Sequence, residues 1–549
     1  MMKFNISKNQ FLIIAIFLIF MFLRVFTDSP YFFIQGGDAG RYLTLANNFP
    51  YHTFSNNQFY IMHQPLYPYT IYFLSFLFED YLAGIAVSLI SSAITFFIIY
   101  KLTMLLSNSR NVVLGTLILF SVSQIYIHRA GSIIKEPFAV MIILAAIYYY
   151  LKFLKEGNNK YWVYSAIFGF ITGLTTDHAL LLILSLITVY FIFRNKLILK
   201  NKTKIWYAAI PLIVVIISYS SWIFTRAYVY ITNDFYPASF DGTIVNTSVW
   251  GLRQLLSSQY FNEISVYIPF GWSFNPLHYI YTVLFMFNLI LIPWPSGLTF
   301  SNIANLLSPN QFIVLVVYGI LVLSAIYGFY RIIKSAWVKK SYKENGMLLC
   351  VVLFLIFLSP LAQKFTSTRW TITAIIFLYI LTSFGLIEIA KKLKILKVYK
   401  WFLTAVVLAL LIYLPFYYAS NPYFILNKEK LVEVPKTAGL INLLPEDGVM
   451  AQVGYTQELN YLTNKRVMAL PINPDYMFLI DRYNISYLIY GEFYMMPLEE
   501  GDKDIVFNYE TIKYIRNHPE KFRLLKVIEE SYPTLEKKDH IYIYEVIPN

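Results

Sequence analysis

Runs of apolar residues, broken by charge only at Arg24 near the end of the first, recur from the start of the chain to about residue 418. They fall at 10–26, 81–100, 111–127, 137–151, 161–176, 179–193, 206–224, 311–330, 347–363, 370–387 and 401–418. A membrane-crossing helix needs ~20 apolar residues, with a lower limit of about 17, so the shorter runs draw on flanking Tyr or Trp. The first run closes on Arg24 and Phe26 without a small-residue cleavage site, and reads as a retained helix rather than a cleaved signal. Residues 278–298 are also apolar, yet both flanks belong to the same side. That segment crosses an even number of times, which predicts 11 spans, or 13 if it crosses twice.

Beyond about residue 421 the pattern changes. Helical stretches at 429–444, 455–463 and 509–517 alternate with short β-type runs at 449–453, 466–470 and 487–490. Residues 540–546 close the chain with period-2 alternation. Alternation of this kind predicts a small α/β domain. The expected architecture is therefore a polytopic α-helical membrane domain over 1–420, with external loops at 27–80 and 225–310, followed by an extracytoplasmic α/β domain over 421–549.

Composition agrees with that division. Of 549 residues, 58% are hydrophobic and 14% charged, against about 25% charged in a soluble domain. Mean hydropathy is +0.55. At 19% aromatic, the chain is rich in rings suited to a membrane interface. One cysteine, Cys350, excludes an internal disulfide framework.

The net charge of +13 has the look of a nucleic-acid footprint until its distribution is examined. Half of the basic residues sit in alternate loops: Lys3 and Lys8, Lys101 and Arg110, Lys152 to Lys160, Arg194 to Lys204, Arg331 to Lys343, and Lys391 to Lys400. Positive loops stay in the cytoplasm. The charge is thus a topological signal, with the N-terminus inside, the tail outside and no nucleic-acid partner. The expected location is the cell membrane, in contact with its lipids.

No phosphate-binding glycine loop, HExxH or GxSxG motif stands where it would carry meaning. The spans hold no ionisable residue past their ends, unlike ion-coupled transporters. Ionisable groups collect instead at the outer boundary: Asp38, Arg41, His63, Glu79, Asp80, His128, Arg129, Lys135, Glu136, Asp177, His178, Lys364 and Arg369. Asp38, between glycines, reads as a general base or as a helix cap over 39–47. Lys364 and Arg369 read as a clamp on an anionic headgroup or as snorkelling side chains. Glu136 is a site carboxylate or a helix-start charge. His63, Asp177 and His178 are compatible with a divalent metal, although scattered His and Asp usually hold none.

In this order the residues resemble the GT-C integral-membrane glycosyltransferases, nearest to the protein-mannosyltransferase and aminoarabinose-transferase-like group. The resemblance rests on Asp38, Tyr42, Leu45 and Ala46; on His63, Pro65, Leu66, Tyr67 and Pro68; on Glu136-Pro137, Gly173-Leu174 and Arg369-Trp370; and on tail segments 444–449, 461–467 and 485–490. Two positions depart from the pattern. Gln64 replaces the first proline of a pair, and Thr176-Asp177-His178 stands where many members carry an arginine. The resemblance implies inverting transfer of one sugar from a polyprenyl-phosphate (dolichyl-phosphate) donor to an external protein, lipid or glycan acceptor. It implies Asp38 and Glu136 as catalytic groups, and Arg369, Lys364 and Arg129 as donor-phosphate ligands. Tyr42, His63, Tyr67, Asp177 and His178 become substrate-site candidates. No redox cofactor is needed. The rival readings are a lipid or glycan transporter or flippase, and a non-catalytic glycan-binding scaffold.

Overall fold

A computed structural model describes residues 8–27, 37–47, 64–123, 126–127, 132–193, 202–232, 309–338, 342–358 and 372–393 of the membrane part. Of the tail it describes 438–444, 448–451, 459, 462–463, 466–470, 477, 479–482, 484–491, 509–532 and 537–547. The expected span at 401–418, the segment 278–298 and most of the 225–310 loop lie outside the described residues.

The chain folds as a polytopic α-helical membrane protein. Among the described residues of the membrane part the helices are α1 (Lys8–Thr27), α2 (Gly37–Asn47), α3 (Leu66–Ser75), α4 (Asp80–Ser107), α5 (Arg110–Ser121), α6 (Glu136–Glu156), α7 (Asn159–Gly173), α8 (Ala179–Phe193), α9 (Lys202–Thr232), α10 (Pro309–Val338), α11 (Tyr342–Leu358) and α12 (Ile372–Lys392). All but α2 and α3 fall on expected spans. By length and composition, α4, α6, α12 and residues 206–224 of α9 suffice to cross a membrane, and shorter apolar helices accompany them. The 12-residue α5 is only ~18 Å long, less than the run 111–127 suggested.

Local chemistry sets the helix ends. Asn108 after α4 and Gly157 after α6 adopt left-handed conformations, which turn the chain sharply at a helix C-terminus. Pro137 occupies the first turn of α6, where a missing N–H costs nothing. The short end of α5 has a side-chain cause. Arg24, fully buried on α1, donates through Nη1 to the Phe20 and Ser121 carbonyls and through Nη2 to the Phe120 carbonyl, each at 3.1 Å. Its guanidinium lies 3.5 Å from the Phe20 ring centre. Carbonyls in the last turn of a helix lack intrahelical partners, and a cation there also meets the negative end of the helix dipole.

Helices α6 and α12 are buried nearly all round, whereas α9 turns Ile213, Ile216, Ile217 and Phe224 outward, and α1 turns out Phe11, Leu18 and Phe22. Close approach between helices comes from glycines. Gly169 and Gly173 of α7 face Val215 and Ser218-Tyr219 of α9, while Gly385 of α12 packs on the Ser324 carbonyl of α10. The loops expected to share a side do meet. At one end Arg331 and Lys391 pair with Glu388 at 3.4 and 2.8 Å, and Asn345 bonds the Ile192 carbonyl. At the other, α1 joins α5 through Arg24, and α12 joins residue 126 through Tyr126 OH to the Ile372 carbonyl at 3.0 Å.

The tail is α/β. Strands β1 (Gly448–Ala451), β2 (Arg466–Ala469), β3 (Tyr487–Gly491), β4 (Phe522–Tyr532) and β5 (Lys537–Val546), with helices α13 (Leu479–Arg482) and α14 (Tyr509–Asn517), form one sheet in the order β2-β1-β3-β5-β4. β1 runs parallel to β2 and β3, and β5 antiparallel to β3 and β4. Met450, Leu488 and Tyr490 face Ile512 and Ile515 of α14 on one side, and Val449, Ala451 and Ile489 join Ile441 and Leu459 on the other. The expected strands at 449–453, 466–470, 487–490 and 540–546 are present. β4 was not expected, because a bulge between Leu524 and Lys526 interrupts its alternation. Leu462 packs both within the tail and against the cluster that α2, α3 and α4 share, so the tail rests on this end of the bundle.

Candidate active site

The candidate site is assembled from segments that come together only in the fold. α3 is short, and its first residue is tied across the molecule: Leu66 N–H donates to the Leu174 carbonyl at 3.3 Å. That bond brings the 64–68 segment against the α7–α8 turn. Tyr67 points into the protein, fully buried, edge-on to Tyr42 of α2 at 4.8 Å and facing Phe138 of α6 at 6.0 Å. Its hydroxyl lies 3.3 Å from Ser88 Oγ, and Ser88 Oγ donates to the Ile134 carbonyl at 3.3 Å. With the serine proton committed to Ile134, the phenol is the donor to serine. Burial raises the Tyr67 phenol well above its ordinary range, the Ser88 bond opposes this and the Glu136 carboxylate adds to it, so the phenol stays protonated.

A second polar line runs beside the first. Lys135 Nζ donates to Gln64 Oε1 at 3.2 Å, Gln64 Nε2 donates to Asp177 Oδ1 at 2.7 Å, and Tyr219 OH reaches the same carboxylate oxygen at 3.5 Å. Gln64 is buried, and Lys135 and Asp177 are partly open. His178, next to Asp177 and buried, has its imidazolium pushed down to about 4, first by burial and then by the Lys135 ammonium, with Asp177 opposing. It is a neutral imidazole near pH 7.

The candidates divide into three groups. Tyr42, Tyr67, Glu136, Asp177 and His178 converge at this end of the bundle, Glu136 buried in the first turn of α6. Asp38 is the second residue of α2, inside the helix rather than ahead of it as a cap, and four residues before the buried Tyr42. Its side chain, with those of His63, Arg129, Lys364 and Arg369, lies outside the described residues. Among the described residues no three His, Cys, Asp or Glu side chains come together as a metal site. Gln64, Ser88 and Tyr219 were not singled out as site residues from sequence, and Lys135 was named only among the ionisable groups at the boundary. Gln64 had been visible as a departure from the family pattern, and so had Asp177. The structure shows that these two departures touch.

Comparison with known proteins follows the same segment. Residues 62–222 match the dolichyl-phosphate-mannose-protein mannosyltransferase family. The solved structure of ArnT from Cupriavidus metallidurans bound to undecaprenyl phosphate superposes with a TM-score of 0.52 at 10% identity, covering 97% of each chain. The same organism's ArnT in the apo state gives 0.49 at 11% identity, again over 97% of each chain. The Archaeoglobus fulgidus oligosaccharyltransferase, in complex with Zn and sulfate, gives 0.48 at 14% identity over 90% of this chain and 70% of that one. No curated protein matches. The expected resemblance to GT-C membrane enzymes is therefore met in the family match and in the fold shared with ArnT.

Proposed function

We propose that this protein is a membrane glycosyltransferase that moves a single sugar from a polyprenyl-phosphate donor to an acceptor at the outer face of the membrane. The observation that carries the reading is the convergence of Gln64, Tyr67, Lys135, Glu136 and Asp177 at one end of the bundle. All five lie within the 62–222 segment that matches a lipid-phosphate-sugar-dependent family. A bundle end of this kind offers a polyprenyl tail a path along apolar helices while its phosphate meets polar groups at the boundary.

In this mechanism Asp38 accepts the proton of the acceptor hydroxyl as that oxygen attacks the anomeric carbon. The bond from that carbon to the phosphate oxygen breaks in the same displacement, which inverts the centre. The negative charge left on the phosphate is stabilised by Arg369, with Lys364 or Arg129. Glu136, held in the first turn of α6, is the second carboxylate of the site and orients the sugar. Tyr42 and Tyr67 form the wall that fixes α2, and so the backbone at Asp38, against α4 and α6.

The test uses purified full-length protein in lipid nanodiscs with a panel of radiolabelled polyprenyl-phosphate sugars and extract-derived acceptors. One donor is consumed, and Asp38→Asn lowers the rate about 10²–10⁴-fold while insertion and thermal stability stay unchanged. Consumption of no donor, or full activity in Asp38→Asn, overturns the proposal.

A further inference from the structure

The positions where this chain departs from its family's pattern, Gln64 and Asp177, are 113 residues apart and joined by a 2.7 Å hydrogen bond. The far end of the same glutamine holds Lys135. The polarity of this bridge has one solution. An ammonium only donates and a carboxylate only accepts, so the amide oxygen must face Lys135 and the amide nitrogen Asp177. Gln64 is almost wholly buried, at 1% exposure, with both ends of its side chain satisfied. Its backbone is secured by the neighbouring Leu66–Leu174 bond. Lys135 is secured in turn, because Ser88 holds the Ile134 carbonyl beside it and Ala139 N–H bonds its own carbonyl at 2.8 Å.

The neutral amide stands between two opposite charges. Among the described residues no ion pair joins Lys135 to Asp177. A direct pair would have used ammonium donors and cancelled much of the local field. With the glutamine interposed, one Lys135 N–H is taken by Oε1, and an ammonium has three. Holding a lysine in one rotamer costs side-chain entropy. Here that ordering is completed in the folded protein, which is the condition for tight binding of a small charged group.

We infer that Gln64 is a positioning residue that presents the Lys135 ammonium to a phosphate group, the diester of the donor or the monoester that the displacement releases, with Asp177 anchoring the glutamine. In this chain the cation comes from the start of α6, while the position where many relatives carry an arginine has become the anchor. The inference rests on the proposed donor chemistry for its substrate class, and its test is independent of sugar transfer.

The experiment measures equilibrium binding of undecaprenyl phosphate, of undecaprenol and of inorganic phosphate to the full-length protein in nanodiscs. Lys135→Met weakens undecaprenyl phosphate about tenfold and leaves undecaprenol unchanged, and Lys135→Arg recovers part of the loss. Gln64→Leu weakens the phosphate about three- to tenfold in the Lys135 protein and less than about twofold in the Lys135→Met background, because it acts through the lysine. Gln64→Asn, which keeps an amide too short to bridge, shows the same dependence and serves if Gln64→Leu misfolds. Lys135 dependence for the lipid alone assigns the ligand to a lipid headgroup, and dependence for inorganic phosphate as well assigns it to the phosphate group itself. Dependence for neither, or equal Gln64 effects in both backgrounds, overturns the inference. Lys135-dependent binding without sugar transfer from any donor would instead overturn the transferase reading and leave this one standing.

Discussion

Replacing Gly173 by alanine tests the link between helix packing and the site above it. Gly173 ends α7 against α9, and a Cβ built there would lie 2.8 Å from the backbone nitrogen of Tyr219, where ordinary contact begins at 3.4 Å. The backbone has no rotamer to adopt, so α7 and α9 must separate by about 0.6 Å or more at that level. Overpacking of this kind costs about 1–3 kcal/mol. Alanine also improves helix propensity by about 1 kcal/mol, and this must be removed from the measurement. Gly319 on α10, where an added Cβ would meet nothing within 4 Å, supplies the control, since Gly319→Ala has the propensity gain without the clash. The comparison is apparent thermal midpoints in one detergent at one scan rate, because large membrane proteins unfold irreversibly. Gly173→Ala melts below Gly319→Ala by the equivalent of the overpacking cost. Donor KM also rises, because α7 leads into the turn carrying Asp177 and α9 carries Tyr219, already at 3.5 Å from it. Equal midpoints for the two variants would refute the packing argument.

Other expectations follow from single features. Arg24→Met withdraws a charged donor from the Phe120 and Ser121 carbonyls and lowers stability by about 3 kcal/mol, read as a lower midpoint that Arg24→Lys restores only in part; an unchanged midpoint would contradict the capping role. His178 is shifted from 6.5 down to about 4, so the unfolded chain binds its proton first. Stability is full above the unfolded value and falls as pH drops through this window, by about 3 kcal/mol in all. His178→Gln flattens that acid loss in midpoints measured from pH 7 to pH 4, and a loss as steep as wild type would exclude His178 as its source. Leu462→Asp places a charge where the tail packs on the apolar cluster shared by α2, α3 and α4, and limited proteolysis releases the tail faster than in wild type; identical digestion would show that Leu462 does not secure the tail.

Much of the scaffold was readable from sequence because the bilayer is an undemanding reader of side chains. Every backbone polar group must be satisfied within the segment, so a charge-free run of sufficient length becomes a helix whatever its neighbours are. In the tail, the positions of β1, β2, β3 and β5 followed from short apolar runs between polar breaks, while β4 escaped when one extra residue shifted its alternation at Leu524–Lys526. Part of the candidate site was readable as ionisable residues at helix ends, which is how Glu136, Asp177 and His178 came to be named together, while Tyr67 was named only through the family resemblance.

What the chain's one-dimensional pattern determined was thus where most of the described helices lie and which residues stand at their ends. The tertiary structure alone decided which helices are central. α6, α9 and α12 are similarly apolar, yet α6 and α12 are enclosed while α9 faces outward. That choice depends on where glycines such as Gly173 and Gly385 let backbones approach. Only the fold, too, decided that Gln64 bonds Asp177 and Lys135. Hydrogen bonds act over about 3 Å, and no sequence spacing of 113 residues specifies a distance that small until helices have packed around it.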